Sequence, residues 1–189
     1  MEQNKVANQM ILSKEQRWKI LLEMKEILDS LNIPFFLTCG TALGAVREPD
    51  GFIERDSDVD LGILENYENR IPEIIKKGEE KGWEVGIWYD PTLNGKGKII
   101  SFFKDGYELV DIGVYYREGE YYWHCINFGD CVQEFVPIFE FGKIKIRNVE
   151  FNIPSPSEKY LEAIYGKNWR IPVSFEDYMA NLAGRRKRY

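Results

Sequence analysis

Histidine is nearly absent: His124 is the only one in 189 residues, so any chemistry that needs an imidazole has a single candidate. It lies in the aromatic run Tyr121-Tyr122-Trp123-His124, where a packed or surface ring is expected rather than a ligand. Cysteine is scarce too. Cys39, Cys125 and Cys131 are too few and too irregular for a disulfide framework, and no C-x-x-C pair suggests structural zinc, so reduced and mostly buried thiols are expected. No apolar run approaches a membrane span, and no early stretch has the build of a secretory leader, which reads as a cytoplasmic protein. Positive charge is in deficit. With 25 Lys and Arg against 31 Asp and Glu, the net charge of −6 gives no general attraction for nucleic acid or an anionic membrane. The basic run Arg185-Arg186-Lys187-Arg188 reads as a solvated tail. Repeats, low-complexity tracts and an obvious linker are also missing.

What remains is a chain whose 44% apolar residues can fill a core, organised as one α+β domain over 1–189. Ser13 with Gln16 has the spacing of a capping box, and Ile20, Met24, Ile27, Leu28 and Leu31 recur at helical intervals, predicting a first helix over about 14–31. Residues 34–38 read as a short strand, broken by Gly40-Thr41 ahead of a turn or two of helix over 42–46. A second strand is expected over 59–64 and a polar helix over 67–81, with Gly82 past its end. Further strands follow over 83–89, 98–104 and 109–116. Beyond the core of about 33–116, a C-terminal elaboration over 117–189 holds a hairpin over 139–153, with turns at Gly142 and Arg147-Asn148, and a helix that Ser155-Pro156-Ser157 starts and that runs through Tyr165, with Gly166 past its end.

The chemistry sits in Gly51-Phe-Ile-Glu-Arg-Asp-Ser-Asp-Val-Asp-Leu-Gly62. Residues two apart on a strand share a face, so Asp58 and Asp60 converge while Val59 and Leu61 point inward. Two neighbouring carboxylates repel unless a hard cation lies between them. Ahead of them, Gly40 and Thr41 stand where a strand meets a helix, so backbone N–H groups and a hydroxyl are available to a phosphate oxygen. Two-metal phosphoryl chemistry needs another carboxylate, and Asp111, a lone acid in the apolar run Leu109-Val-Asp-Ile-Gly-Val114, is the best third ligand. Glu108 is a weaker substitute because it is out of phase with Asp111.

Gly40-Thr-Ala-Leu-Gly-Ala-Val-Arg47, Gly51-Phe-Ile and Asp56-Ser-Asp-Val-Asp-Leu-Gly62 closely resemble the motifs of the LicD and fukutin-related family, within the polymerase-β-like nucleotidyltransferase superfamily. Tyr160 to Pro172 is similar to that family's C-terminal Tyr-Gly-x-x-Trp element, while Arg55, Ser57 and Thr38-Cys39 depart from its pattern. The resemblance implies a mixed β-sheet core flanked by helices, with a C-terminal hairpin and helix. It also implies that a phospho-alcohol, such as phosphocholine or ribitol phosphate, moves from a CDP-linked donor to a glycan or other hydroxyl acceptor. Carried over by position, Asp58, Asp60 and Asp111 would be catalytic and hold Mg²⁺ or Mn²⁺, two ions in all. Gly40 and Thr41 would form the phosphate turn, Arg47 would contact substrate phosphate, and Asp56 matches the family's preceding acid. The alternative within the same fold is transfer of an NMP from an NTP; a non-catalytic ligand-binding domain is the third reading. The aromatic pairs Trp88-Tyr89 and Tyr115-Tyr116, with Tyr121-Tyr122-Trp123, could cage a choline, but strand packing is the expected role.

Overall fold

A computed structural model describes residues 12–54, 56–127, 131–174 and 177. Arg55 and the basic run 185–188 lie outside the described residues.

Helix α1 (Lys14–Ser30) starts at the expected box: the Gln16 N–H donates to Ser13 Oγ and the Ser13 N–H to Gln16 Oε1. Its buried stripe is Arg17, Leu21, Met24, Ile27 and Leu28, so the inner face is turned from the one expected and carries an arginine in place of Ile20 and Leu31. Strand β1 is only Phe36–Leu37, because α2 (Cys39–Arg47) begins earlier than expected and takes Gly40 and Thr41 into its first turn. Then come β2 (Val59–Leu64), a 3₁₀ segment Glu65–Arg70 and α3 (Ile71–Glu80). The single helix expected over 67–81 divides at Pro72, which lacks the N–H an interior helical residue must donate and so marks a new first turn.

Strands β3 (Glu84–Trp88), β4 (Ile99–Lys104) and β5 (Tyr107–Glu118) complete the central sheet in the order β1-β2-β5-β4-β3, with β2 and β5 parallel and the other pairs antiparallel. The far end of β5 continues into β6 (Tyr121–Asn127) and β7 (Cys131–Pro137), a hairpin the periodicity did not mark. Cys125 and Cys131 form a disulfide across it, which corrects the expectation of reduced thiols. The β6–β7 register pairs Asn127 with Cys131 and Cys125 with Gln133, so the two cysteines are diagonal neighbours with Cα atoms 5.4 Å apart, within bridging range. Strands β8 (Glu140–Ile146) and β9 (Val149–Ser155) form the expected separate hairpin around Arg147. Gly142 is not a turn; it lies inside β8 opposite Ile153. Helix α4 (Ser157–Tyr165) ends at Gly166, whose φ of 82° only glycine adopts freely. The mixed sheet and its helices fit the α+β expectation.

Helices α1 and α3 pack on each other and on β2, β3 and β4, whereas α2 packs on β2 and α4, and α4 on β7 and β9. Of the aromatics considered for a cation cage, Tyr115, Tyr116 and Trp123 pack in the core, Tyr116 stacking on Trp123 at 4.7 Å and Tyr115 on His124 at 4.3 Å, whereas Tyr89 and Tyr121 are exposed. Phe36 is fully buried and set edge-on to Tyr115 and Phe139. Its β2 partner is Gly62, where a Cβ would stand 2.4 Å from the ring. We expect Gly62→Ala to lower stability by about 1–3 kcal/mol, because the clamped ring cannot retreat. A urea-unfolding midpoint equal to that of the parent protein would show that the ring does give way.

Candidate active site

The parallel register of β2 and β5 sets Asp60 beside Asp111, as Val59 is beside Val110 and Leu61 beside Ile112. The apolar partners are fully buried; the two aspartates are half-buried on the opposite face of the sheet. Asp58 precedes β2 in phase with Asp60, also half-buried. Glu108 joins them through a feature that strand alternation alone does not show. The β4–β5 register shifts at Phe102/Phe103, so Ser101 faces Asp111 while Phe103 faces Glu108. Ser101 and Phe103 share a face of β4, hence so do Asp111 and Glu108, which corrects the out-of-phase reading.

Gly40 and Thr41 act on Asp60. The Gly40 N–H donates to Asp60 Oδ2 at 2.8 Å, and the Asp60 N–H donates to Thr41 Oγ1 at 2.8 Å. A Cβ at Gly40 would lie 3.0 Å from Asp60 Oδ2 and 3.1 Å from Asp56 Oδ2, so a glycine lets the helix start close against both acids. Ser101 Oγ donates to Asp111 Oδ1 at 2.6 Å. Asp56 pairs with Arg17, Nη1 to Oδ2 at 3.2 Å; this buried arginine also donates to the Ile53 carbonyl and lies over the Phe52 ring. Sequence reading missed Arg17, although a charge four residues before Leu21, on the stripe that faces the core, was the available signal.

Arg47 is placed elsewhere. It closes α2, its Nε donating to Glu48 Oε1 at 2.7 Å and Nη1 to the Trp169 carbonyl at 3.2 Å, which ties α2 to the segment after α4. Nearer the core, Thr38 joins Tyr115 and Tyr160 in a buried hydroxyl cluster that fixes α4 against the start of α2.

The acids raise one another's proton affinity. Burial, then the charges of Asp56 and Glu108, push Asp58 up to about 7. Burial and Asp58 hold Asp60 well above the usual carboxylate range, and burial and Glu108 do the same for Asp111. Burial also raises Asp56, against the pull of Arg17. In the metal-free protein these folded-state values exceed the unfolded ones, so between about 4 and about 7 the folded chain holds protons that the unfolded chain has lost. Stability should therefore fall as pH rises through that window, and Mg²⁺ should restore it. Urea midpoints measured from pH 4 to pH 8 with and without Mg²⁺ check this; a flat metal-free profile would contradict it.

Crowded carboxylates with raised proton affinity, held by N–H and O–H donors and offering only oxygen, are a donor set for a hard divalent cation. Among the described residues, however, one group of three ligand-type side chains brings an atom of each within 4.8 Å of the others, and it consists of Cys39, His124 and Glu134. The aspartates stand further apart.

Solved structures with this arrangement of strands and helices define the class. The structure of ANT(2″)-Ia in complex with adenylyl-2″-tobramycin matches at a TM-score of 0.51 and 15% identity, covering 89% of this chain and 91% of that one. The solution structure of ANT(2″)-Ia matches at 0.54 and 16%, over 92% and 88%. The fold is that of a nucleotidyltransferase. Residues 32–156 match the family described as LicD/FKTN/FKRP, nucleotidyltransferase domain, and the chain belongs to that family of transferases. It is 30% identical over 176 residues to the ribitol-5-phosphate transferase FKTN of Mus musculus, covering 88% of this chain and 36% of that protein. The FKTN of Homo sapiens is 30% identical over 170 residues, 85% of this chain and 34% of that protein. The chain thus spans about a third of the length of these curated relatives. No described helix is long and apolar enough to cross a membrane.

Proposed function

We propose that this chain transfers a phospho-alcohol, ribitol phosphate or a close analogue such as phosphocholine, from a CDP-linked donor to a hydroxyl acceptor such as a glycan. The observation that carries the reading is the register of Asp60 against Asp111 with Asp58 in phase, beside a helix start whose N–H is already aimed at a carboxylate. Membership of the family and the likeness to FKTN, a ribitol-5-phosphate transferase by name, support the class of cargo. Asp58, Asp60 and Asp111 would hold Mg²⁺ or Mn²⁺. When bound, such ions neutralise donor phosphate and acidify the acceptor hydroxyl.

The chain's own groups supply the rest. Gly40 and Thr41 keep the Asp60 carboxylate and backbone in place, and Ser101 fixes the rotamer of Asp111. The acceptor oxygen forms the new bond to phosphorus, the bond from that phosphorus to the CMP oxygen breaks, and the hydroxyl proton passes to Asp111 or to water. Arg47, anchored at the end of the same helix, would have to share its guanidinium with Glu48 to serve donor phosphate.

The test is thermal shift and turnover with Mg²⁺ plus CDP-ribitol, CDP-glycerol, CDP-choline or each of the four NTPs. Stabilisation by one CDP-alcohol, with CMP released on addition of an acceptor, is expected. Pyrophosphate release from an NTP, with none of the CDP-alcohols recognised, would replace this reading by NMP transfer; no response to any donor or to Mg²⁺ would leave a non-catalytic domain.

A further inference from the structure

We propose that Cys39, His124 and Glu134 form a separate metal site that takes a borderline-soft divalent cation of the zinc type. The three residues come from the start of α2, from β6 and from β7, remote in sequence, yet one ligand atom of each lies within 4.8 Å of the other two. His124 and Glu134 are direct partners in the β6–β7 ladder, so the sheet itself fixes their separation. His124 Nε2 lies 3.2 Å from Glu134 Oε2; bonds of about 2.0–2.2 Å to a tetrahedral zinc would put such atoms roughly 3.4 Å apart. The Tyr115 ring stacks on the imidazole at 15° and holds its plane. Cys39 sits at φ 43°, a backbone conformation in which a side chain costs energy and glycine does not, and its thiol is the one left outside the disulfide.

The donor set decides the ion. Magnesium takes oxygen ligands, whereas one sulfur, one imidazole nitrogen and one carboxylate suit zinc, so this site and the aspartates would sort cations by softness. Three protein ligands leave a fourth position open for water. An ion there would tie the start of α2, one residue from the N–H that clasps Asp60, to the β6–β7 hairpin.

Cobalt(II) is the probe, added to the full chain after chelation, in excess Mg²⁺ to occupy the aspartates and without thiol reductant to keep Cys125–Cys131 closed. We expect one equivalent to give the strong visible absorption of tetrahedral cobalt with a thiolate-to-cobalt band, one equivalent of Zn²⁺ to erase both, and Zn²⁺ to raise Tm. Cys39→Ser should remove the thiolate band, Glu134→Gln should weaken cobalt binding on the order of tenfold or more, and Asp60→Asn should leave the spectrum unchanged. A parent protein without these bands, bands that persist in C39S, or bands lost in D60N would each overturn the site. The parent spectrum decides even if a variant fails to fold. Because the readout is spectroscopic and insensitive to the donor, failure here leaves the transfer reading intact, and the reverse also holds.

Discussion

Asp60→Asn is expected to lower kcat/KM for transfer by about 10³-fold or more while making the metal-free protein harder to unfold above pH 7. The two effects have one origin. Asp60 is a half-buried carboxylate beside Asp58, Asp56 and Asp111, and its ionised form is disfavoured by burial first and by those charges next. Asparagine keeps an oxygen for the Gly40 N–H and a backbone N–H for Thr41, so the clasp survives and only the charge is lost. Removing that repulsion should stabilise the cation-free fold by about 1–2 kcal/mol once screening at a partly exposed site is allowed for, or roughly 2–8 °C in Tm for a chain of this size. The same charge is what a divalent cation would require, so Mg²⁺ should no longer raise Tm. A drop of 10³-fold corresponds to about 4 kcal/mol of lost transition-state stabilisation. Turnover and Tm with and without Mg²⁺, measured on one preparation, check both halves. A variant that turns over normally removes Asp60 from the chemistry, and one that is less stable without metal shows that the acids do not repel as described.

Much of this site was legible in the sequence because it is written in short-range periodicity. Asp58 and Asp60 share a face through the two-residue period of β2, and Asp111 stood out as a charge in an apolar strand that the parallel register then sets against Asp60. The capping box at Ser13 was equally local. What could not be read is what depends on how one segment meets another. Glu108 reaches the acids only because the β4–β5 register shifts, and a register belongs to two strands at once. The disulfide needed the β6–β7 hairpin before its geometry existed. Thr38, Tyr115 and Tyr160 are ordinary residues until folding gathers their hydroxyls at the root of α2. Arg47 matches the family motif, yet its partners come from its neighbour Glu48 and from Trp169, far along the chain. His124, expected to be a packed or surface ring, is packed, and acquires a chemical neighbourhood only when β7 brings Glu134 and α2 brings Cys39.

Arg17→Met should destabilise the fold although it lies outside the carboxylate cluster. Arg17 is 1% exposed at the N-terminal end of the α1 stripe, and its guanidinium serves three surroundings together: the Asp56 carboxylate, the Ile53 carbonyl and the face of Phe52. Its Nε has no partner, so its own burial is incompletely compensated. Methionine fills most of the stem's volume and removes that orphan donor, which limits the packing loss. It also leaves Asp56 with burial raising its proton affinity and only the Ser57 backbone N–H opposing it, since Arg17 supplies the side-chain charge that lowers it. Breaking a buried pair from one side costs about 3–5 kcal/mol. Asp56 is 22% exposed and can take a proton instead, so about 2–3 kcal/mol is expected here. The pairing makes a further demand: Asp56→Asn should be much less harmful in the methionine background than in the parent, with a coupling of about 1 kcal/mol or more in a double-mutant cycle of urea midpoints. Additive midpoints would mean that Arg17 matters as a packed stem and not as the countercharge of Asp56. The expected coupling would make α1, which contributes no aspartate to the site, the element that lets Asp56 stand beside Asp58 and Asp60 without unfolding the loop that carries them.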